Sequence, residues 1–163
     1  MAIKLVGSDD QTGNQELTSD YFSASKFTAV STGSMTEFRV KAPVGTSGNA
    51  KFALYADNAG EPGVVINQVG STALVAGWNT IAFPPSNIVS DVPYWLALRT
   101  EYTFLKWIVA TGITRYKSGV AYPESFSDNP TGLTSATTFY LIAAGWGNLS
   151  INHIVFLSDY GVL

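Results

Sequence analysis

Residues 50–100 alternate short strand patterns with tight-turn sequences, and nothing in this stretch has helical periodicity. Residues 51–56 follow the period of two that is typical of a half-buried β-strand. The sequence DNAGEPG at 57–63 then ends that strand, because Asn and Gly tolerate positive φ and Pro has no N–H to donate. The period of two resumes at 78–82 and again at 94–98. Strands joined by turns without intervening helices predict an antiparallel all-β fold.

A further strand pattern lies within this stretch at 64–69, and similar patterns lie on both sides of it, at 2–6, 21–30, 35–42, 104–110, 138–144 and 149–157. The pattern at 35–42 is the clearest, because Phe38, Val40 and Ala42 alternate with Glu37, Arg39 and Lys41. A count of about eight to ten short strands in one chain is typical of a sandwich or barrel. We therefore predict a single antiparallel β-sandwich domain of jelly-roll type over residues 1–163.

The connections between these strands lead to four further predictions. Residues 94–100 and 104–110 are expected to form a hairpin, and GWGN at 145–148 is expected to be a turn. The proline pair at 84–85 excludes a central strand at that point, because neither residue can donate to a ladder. The longest irregular region is predicted at 112–137, and a loop of this length is usually functional or an assembly arm.

Composition limits the classes of partner. Charged residues make up 13% of the 163 residues, about half the usual share of roughly 25%, whereas hydrophobic residues make up 46%. This excess of apolar side chains suggests contacts with neighbouring subunits, and hence a homo-oligomer or an assembly with other structural proteins. The alternative is a tightly packed sandwich with Ser, Thr and Asn on its outside.

The remaining composition excludes several kinds of site. The nine basic residues are scattered, so the phosphate contacts of a nucleic-acid-binding protein are not expected. No apolar run approaches the roughly 18–20 residues of a membrane span, and the apolar patch at 2–6 is too short for a signal peptide. The chain has no cysteine, which excludes disulfides and thiolate metal ligands.

Catalytic and metal-binding patterns are weak. The one histidine, His153, lies in an apolar alternating segment where a structural role is more common, and no G-x-S-x-G or phosphate-binding glycine motif occurs. The carboxylates offer no recognisable catalytic pair, so an enzyme is not expected and no cofactor is predicted. Asp9 and Asp10 are a candidate calcium site, although they lack the D-x-D-x-D-G spacing and adjacent loop carboxylates are more often solvated.

Aromatic residues are the remaining candidates for binding. Tyr116, Tyr122 and Phe126 in the long loop, with Trp146, are candidates for a platform on which a sugar ring stacks. The alternative is that these rings anchor the loop onto the body of the protein or onto a neighbouring subunit. The candidates for subunit contacts are the 116–126 loop and Phe139, Tyr140, Ile142, Ile154 and Phe156.

Four short segments, taken together, match a pattern seen in other proteins. They are ALY at 53–55, DNAGEPG at 57–63, GWNT at 77–80 and YWLAL at 94–98. Together they resemble the sandwich modules of bacterial surface proteins, secreted proteins and phage structural proteins. The resemblance implies a β-sandwich and a non-catalytic role in binding, adhesion or structure, and it brings no site residues with it.

Two functions follow as hypotheses. The first is a non-catalytic structural module on an outer surface, such as a capsid decoration protein or tail component of a phage virion. The second is a carbohydrate-binding module of a secreted glycan-active protein, which would place the chain at an extracellular surface. A small hydrolase is a third reading, supported only by the presence of carboxylates.

Overall fold

The computed structural model describes residues 1–9, 15–16, 21–42, 44–46, 48–101, 106–108, 112–120, 122, 124–137, 140–141 and 143–150. These residues form thirteen strands and no helix: β1 Ile3–Gly7, β2 Gln15–Glu16, β3 Tyr21–Thr28, β4 Gly33–Ala42, β5 Asn49–Asn58, β6 Glu61–Ala73, β7 Gly77–Ile88, β8 Pro93–Thr100, β9 Lys106–Ile108, β10 Ile113–Ser118, β11 Thr134–Ala136, β12 Tyr140–Leu141 and β13 Ala143–Leu149. The all-β prediction is confirmed.

The strands form two main sheets and a small third one. One main sheet has the order β1-β13-β4-β7, the other β11-β10-β3-β8-β5-β6, and the third β12-β9-β2. Every strand pairing among the described residues is antiparallel. The fold is thus an antiparallel β-sandwich, as predicted, whereas the jelly-roll connectivity stays a prediction.

The main core lies between the four-stranded and six-stranded sheets. Phe38 of β4 and Phe52 of β5 meet there with ring centroids 4.9 Å apart, and Phe83 of β7 lies 5.9 Å from Phe38. Each such side chain stabilises the fold by about 1.5–3 kcal/mol through burial. The alternation predicted for β4 is confirmed, because Val40 and Ala42 are buried with Phe38.

A second core covers the opposite face of the six-stranded sheet. Phe22, Tyr55 and Trp95 point there, and the described residues of 119–133 (119–120, 122 and 124–133), which we call the cover loop, contribute Phe126. The Phe126 ring lies 6.2 Å from the rings of both Phe22 and Tyr55. The strand predicted at 51–56 is confirmed as part of β5. The expectation that it is half-buried is wrong, because the cover loop shields its second face.

Two hydrogen bonds fasten the cover loop to the edge strand β6. The backbone N–H of Val65 donates to Asp128 Oδ1 at 2.7 Å, and the N–H of Asn129 donates to the carbonyl of Gly63 at 2.8 Å. The hydroxyl of Tyr55 donates to the carbonyl of Ser127 at 3.2 Å. Burial raises the pKa of Tyr55 well above its ordinary value, so this hydroxyl keeps the proton that it donates.

The predicted hairpin between residues 94–100 and 104–110 is not formed by the described residues. Strand β8 lies between β3 and β5, and β9 pairs with β2 and β12. Strand β8 is buried along most of its length, which favours a central position in a sheet. The irregular region predicted at 112–137 is also shorter than expected, because it begins with β10 and ends with β11.

The predicted turn at 145–148 is wrong, because β13 runs through it. A Cβ on Gly145 would lie 2.9 Å from Val6 Cγ1, and a Cβ on Gly147 would collide with the backbone carbonyl of Ser34. These glycines therefore allow neighbouring groups to approach closely and do not form a bend. The prediction for Pro84 and Pro85 is confirmed, since both lie in β7 at the edge of its sheet, beside a register shift.

Candidate ligand-binding site

The outer face of the four-stranded sheet combines aromatic and charged side chains. The alternation of β4 places Glu37, Arg39 and Lys41 on this face, away from the core. Strand pairing sets Trp146 of β13 opposite Glu37 and Trp78 of β7 opposite Lys41. Two indole rings from the strands on either side of β4 therefore lie on the same face of the sheet.

Between these rings lies a cavity of about 320 Å³, which we call the indole hollow. It is lined by Asp9, Arg39, Trp78, Thr80 and Trp146. Small-molecule sites in proteins typically enclose about 300–1,000 Å³ and combine apolar walls with a few polar groups. The hollow has both properties, with one cation, one carboxylate and one hydroxyl beside its two indoles.

The polar groups of the hollow are held in place. The guanidinium carbon of Arg39 lies 4.0 Å from the centroid of the Trp146 ring, which is a cation–π distance. Arg39 also donates to Glu37 Oε2 from Nε at 3.0 Å and from Nη2 at 2.7 Å. Because the ring and the carboxylate both hold Arg39, its orientation is set before any ligand arrives.

The indole nitrogen of Trp146 is a buried donor with no hydrogen-bond partner in the described part of the chain. Leaving such a donor unsatisfied costs about 1–3 kcal/mol, so most buried N–H groups have a partner. Because this nitrogen is closed off from solvent, an acceptor on a ligand would reach it only after the indole moves.

Asp9 borders the hollow and is paired with Lys4, whose Nζ lies 2.6 Å from Asp9 Oδ1. Asp10, the other half of the calcium candidate, lies outside the described residues. No group of three or more metal-ligating side chains occurs among the residues that the structure describes. The calcium site stays a prediction from the sequence.

The four aromatic residues selected from the sequence do not come together. Trp146 lies on the four-stranded sheet, whereas Phe126 is 5% exposed in the second core on the six-stranded sheet. The hydroxyl of Tyr122 donates to Ser71 Oγ at 2.6 Å. The ring centroid of Tyr116, on β10, lies 6.2 Å from that of Tyr21. Trp78 and Arg39 are the partners of Trp146 instead.

Of the residues selected for subunit contacts, those of the 116–126 loop are described except 121 and 123, whereas most of the others lie outside the described part of the chain. Phe139, Ile142, Ile154 and Phe156 are among these, as is His153, and only the backbone of Tyr140 is described, in β12. The role of all these residues in subunit contacts stays a prediction.

One end of the sandwich exposes four aliphatic side chains, which we call the apolar end. They are Val30, Val89, Val92 and Leu149, with exposed fractions between 39% and 60%. Their segments are joined by backbone hydrogen bonds, from Ala29 N–H to the Val92 carbonyl at 3.0 Å and from Ser150 N–H to the Thr32 carbonyl at 3.2 Å. The four side chains thus belong to one end of the fold.

A cluster of charges at the turn between β5 and β6 has a structural explanation. The Lys26 Nζ lies 2.9 Å from Asp57 Oδ1, and Arg115 Nη2 lies 2.7 Å from Glu61 Oε1. The hydrogen bond from Arg115 is the main reason that the pKa of Glu61 lies below its ordinary value. Shifted carboxylates often mark active sites, but here the partners of each acid account for the shift.

Comparisons with known proteins do not assign the chain to a family. No protein-family model matches it, and no curated protein matches it significantly. Among the described residues, no helix has the length and apolar character needed to cross a membrane.

Proposed function

We propose that the protein is a non-catalytic structural module of an outer-surface assembly, such as a capsid decoration protein or tail component of a phage virion. The observation that carries this proposal is the apolar end. Single exposed aliphatic residues are normal on monomers, whereas a group of them at one end of a fold is typical of a contact surface. The low share of charged residues, 13%, is consistent with surface that is covered by a neighbour.

Light scattering over a concentration series tests this proposal. We expect the native chain to have a mass above that of a monomer, and we expect Val30→Lys and Val89→Lys to lower it by burying a charge in the contact. Val75→Lys is the matched control, because Val75 is equally exposed but follows β6 near the opposite end of β7. A native monomer at every concentration, or equal effects of all three variants, would count against a contact at the apolar end.

The indole hollow favours a second function, carbohydrate binding. The faces of indole rings stack on the C–H groups of a pyranose, and Arg39, Asp9 and Thr80 offer hydrogen bonds for its hydroxyl groups. Because Glu37 and Trp146 hold Arg39 in one orientation, little side-chain entropy is lost on binding.

A glycan array with three variants tests this second function. We expect Trp78→Ala and Trp146→Ala to abolish binding, with a far-UV spectrum like that of the native chain. Tyr122→Ala is the matched control, because Tyr122 is a partly exposed aromatic residue attached to the six-stranded sheet through Ser71. An array without signal, or a loss of binding in the Tyr122 variant alone, would exclude the indole hollow as the glycan site.

A further inference from the structure

A buried arginine lies beneath the cover loop, far from the indole hollow in the fold. Arg99 of β8 is 6% exposed, and its Nε and Nη1 are buried without a hydrogen-bond partner among the described residues. Arginine is almost never fully buried unless it is paired, because removing its charge from water costs several kcal/mol. A bound partner with hydrogen-bond acceptors would therefore stabilise this side chain.

Two aromatic rings hold the guanidinium in place without satisfying it. The guanidinium carbon lies 5.2 Å from the centroid of Phe126 and 5.8 Å from that of Phe22. Such contacts contribute cation–π attraction but accept no conventional hydrogen bond. Burial lowers the pKa of Arg99 below its ordinary value, yet arginine remains charged at neutral pH.

The nearest carboxylate does not complete the site. Glu124 Oε2 lies 3.6 Å from Arg99 Nη1, which is longer than a hydrogen bond, and the Glu124 side chain is 64% exposed. Its position shows that a carboxylate can approach Nη1 from this direction. Because Glu124 is largely in solvent, it can move aside at small cost when a better acceptor arrives.

A cavity of about 260 Å³ adjoins Arg99 under the cover loop. Its lining includes Lys117, Glu124, Ser127 and Thr131. At ~30 Å³ for each water molecule, this volume is large enough for a small organic acid. Arg99 and Lys117 are cations and Glu124 is a carboxylate, so the lining has an excess of one positive charge, which a monovalent anion would balance.

We propose that this cavity binds a small carboxylate anion, which forms an ion pair with Arg99 and displaces Glu124 from it. The planar guanidinium suits a carboxylate, because the two groups form paired, charge-assisted hydrogen bonds. Lys117 lies at the wall of the cavity, where its Nζ donates a weak 3.4 Å hydrogen bond to the Thr131 carbonyl. It supplies a second positive charge, and the hydroxyls of Ser127 and Thr131 supply donors.

The direct test is a titration of the native chain with sodium acetate at constant ionic strength, followed by amide NMR. We expect saturable shifts of the Gly119, Ser127 and Thr131 amides and no such shifts with sodium chloride. Parallel titrations with sodium glucuronate separate the sources of the carboxylate, since tighter binding of glucuronate indicates an acidic sugar and equal binding a free organic acid. Absence of saturation with both acids, or saturation with inorganic phosphate alone, would overturn the proposal.

Three variants should change the acetate Kd, two by raising it and one by lowering it. A non-specific salt effect would not produce changes in both directions. Arg99→Met should raise the acetate Kd by about tenfold or more, because it removes the charged fork while keeping the shape of the side chain. Lys117→Gln should raise the Kd by about threefold, and Glu124→Gln should lower it by a similar factor, through the charge at a partly exposed site. The last two residues are exposed, so they keep the test decisive if the Arg99 variant fails to fold.

Lys41→Gln is the control for charge alone, because Lys41 lies on β4 in the other main sheet. Its acetate Kd should equal that of the native chain. An equal change in Kd for the Lys41 and Lys117 variants would contradict a localised site, as would a Kd that Glu124→Gln leaves unchanged.

Discussion

The indole Nε1 of Trp95 donates a 2.8 Å hydrogen bond to Oδ1 of Asp57. The same carboxylate accepts from Lys26 Nζ at 2.9 Å and from the backbone N–H of Gly60 at 3.1 Å. One side chain thus joins the end of β5 to the turn before β6, to β8 and to β3. The charge of Asp57 is part of this arrangement, so its protonation should be felt in the stability of the fold.

Acid should therefore weaken the fold through Asp57. Burial alone would raise the pKa of this carboxyl, but the hydrogen bonds from Lys26, Trp95 and Gly60 outweigh burial and set the pKa below its ordinary value of 3.8. A lowered folded-state pKa gives stability that is present above 3.8 and is lost as the pH falls through the folded-state value. We expect the free energy of unfolding in urea to fall less steeply below pH 4 in Asp57→Asn than in the native chain.

That measurement needs a carboxylate outside the network as its control. Asp91→Asn is suitable, because Asp91 is exposed and Asn tolerates the positive φ of 65° at this position. At pH 7 the free energy of unfolding of the Asp57 variant should be lower than that of the native chain by about 1–3 kcal/mol, the usual effect of removing hydrogen bonds to a charged group. Parallel pH profiles for native chain and Asp57 variant would show that the carboxylate is not coupled to folding.

The cover loop should contribute to stability mainly through Phe126. Phe126→Ala opens a gap between the loop and the rings of Phe22 and Tyr55, and such a change typically costs about 3–5 kcal/mol. Tyr122→Phe is the control, because it removes only the hydroxyl that donates to Ser71 and should cost less than about 1 kcal/mol. Urea unfolding measures both, and similar losses would mean that the loop is not held by its buried ring.

Gly147 should tolerate no side chain. A Cβ there would meet the carbonyl of Ser34 and lie 2.8 Å from Met35 Cα, and forcing atoms into such a site typically costs about 1–3 kcal/mol. Gly70→Ala is the matched control in a strand, since a Cβ at Gly70 meets nothing within 4 Å. Thermal unfolding should show a lower Tm for Gly147→Ala alone. An unchanged Tm would show that β13 and β4 can move apart without loss.

The bend before β7 should depend on one amide side chain. Asn79 Oδ1 accepts from the N–H of Val75 at 2.9 Å, and Asn79 Nδ2 donates to the carbonyls of Val75 at 2.8 Å and Gly77 at 3.1 Å. Asn79→Ala leaves these backbone groups without their partners, so we expect a loss of about 1–3 kcal/mol in urea unfolding. Asn87→Ala is the control, because Asn87 is exposed. Equal losses of unfolding free energy in the Asn79 and Asn87 variants would contradict the role given to Asn79.

Alternation along the sequence predicted strands well where one face of the strand meets solvent. Strand β4 is the clear case, because Glu37 and Arg39 face outwards and Phe38 and Val40 face the core. The same reasoning predicted the strand β5 but not the burial of its second face, which is covered by Phe126 from a distant part of the sequence. A local pattern contains no information on which remote segment will cover a sheet.

Glycine misled the prediction at 145–148 for a physical reason. The residue has two uses, to adopt a positive φ in a turn or to let another backbone approach closely, and composition does not separate them. Gly77 is an example of the first, with φ of 96°, and Gly147 of the second. Only the position of β4 beside β13 decides between the two.

The indole hollow could be predicted only in part. The sequence predicted Trp146 as part of an aromatic platform for a sugar, but not its neighbours in the hollow. Arg39 and Trp78 reach it because β13 pairs with β4 and β4 with β7, and this strand order connects segments far apart in sequence. Without the register of those pairings, the three side chains are unrelated positions.

The pairing of β1 with β13 has a consequence for synthesis on the ribosome. Strands β3, β5, β6 and β8 are all made once residue 100 has been translated, so most of the six-stranded sheet can form early. Strand β1, in contrast, can pair only after residues 143–149 are made, because β13 is its one neighbour in the four-stranded sheet. Until then β4 also has a bare edge, of the kind that pairs with strands of other chains. Until β13 is made, the four-stranded sheet consists of β4 and β7 alone, and this is the stage at which we expect pairing with neighbouring chains to compete with folding.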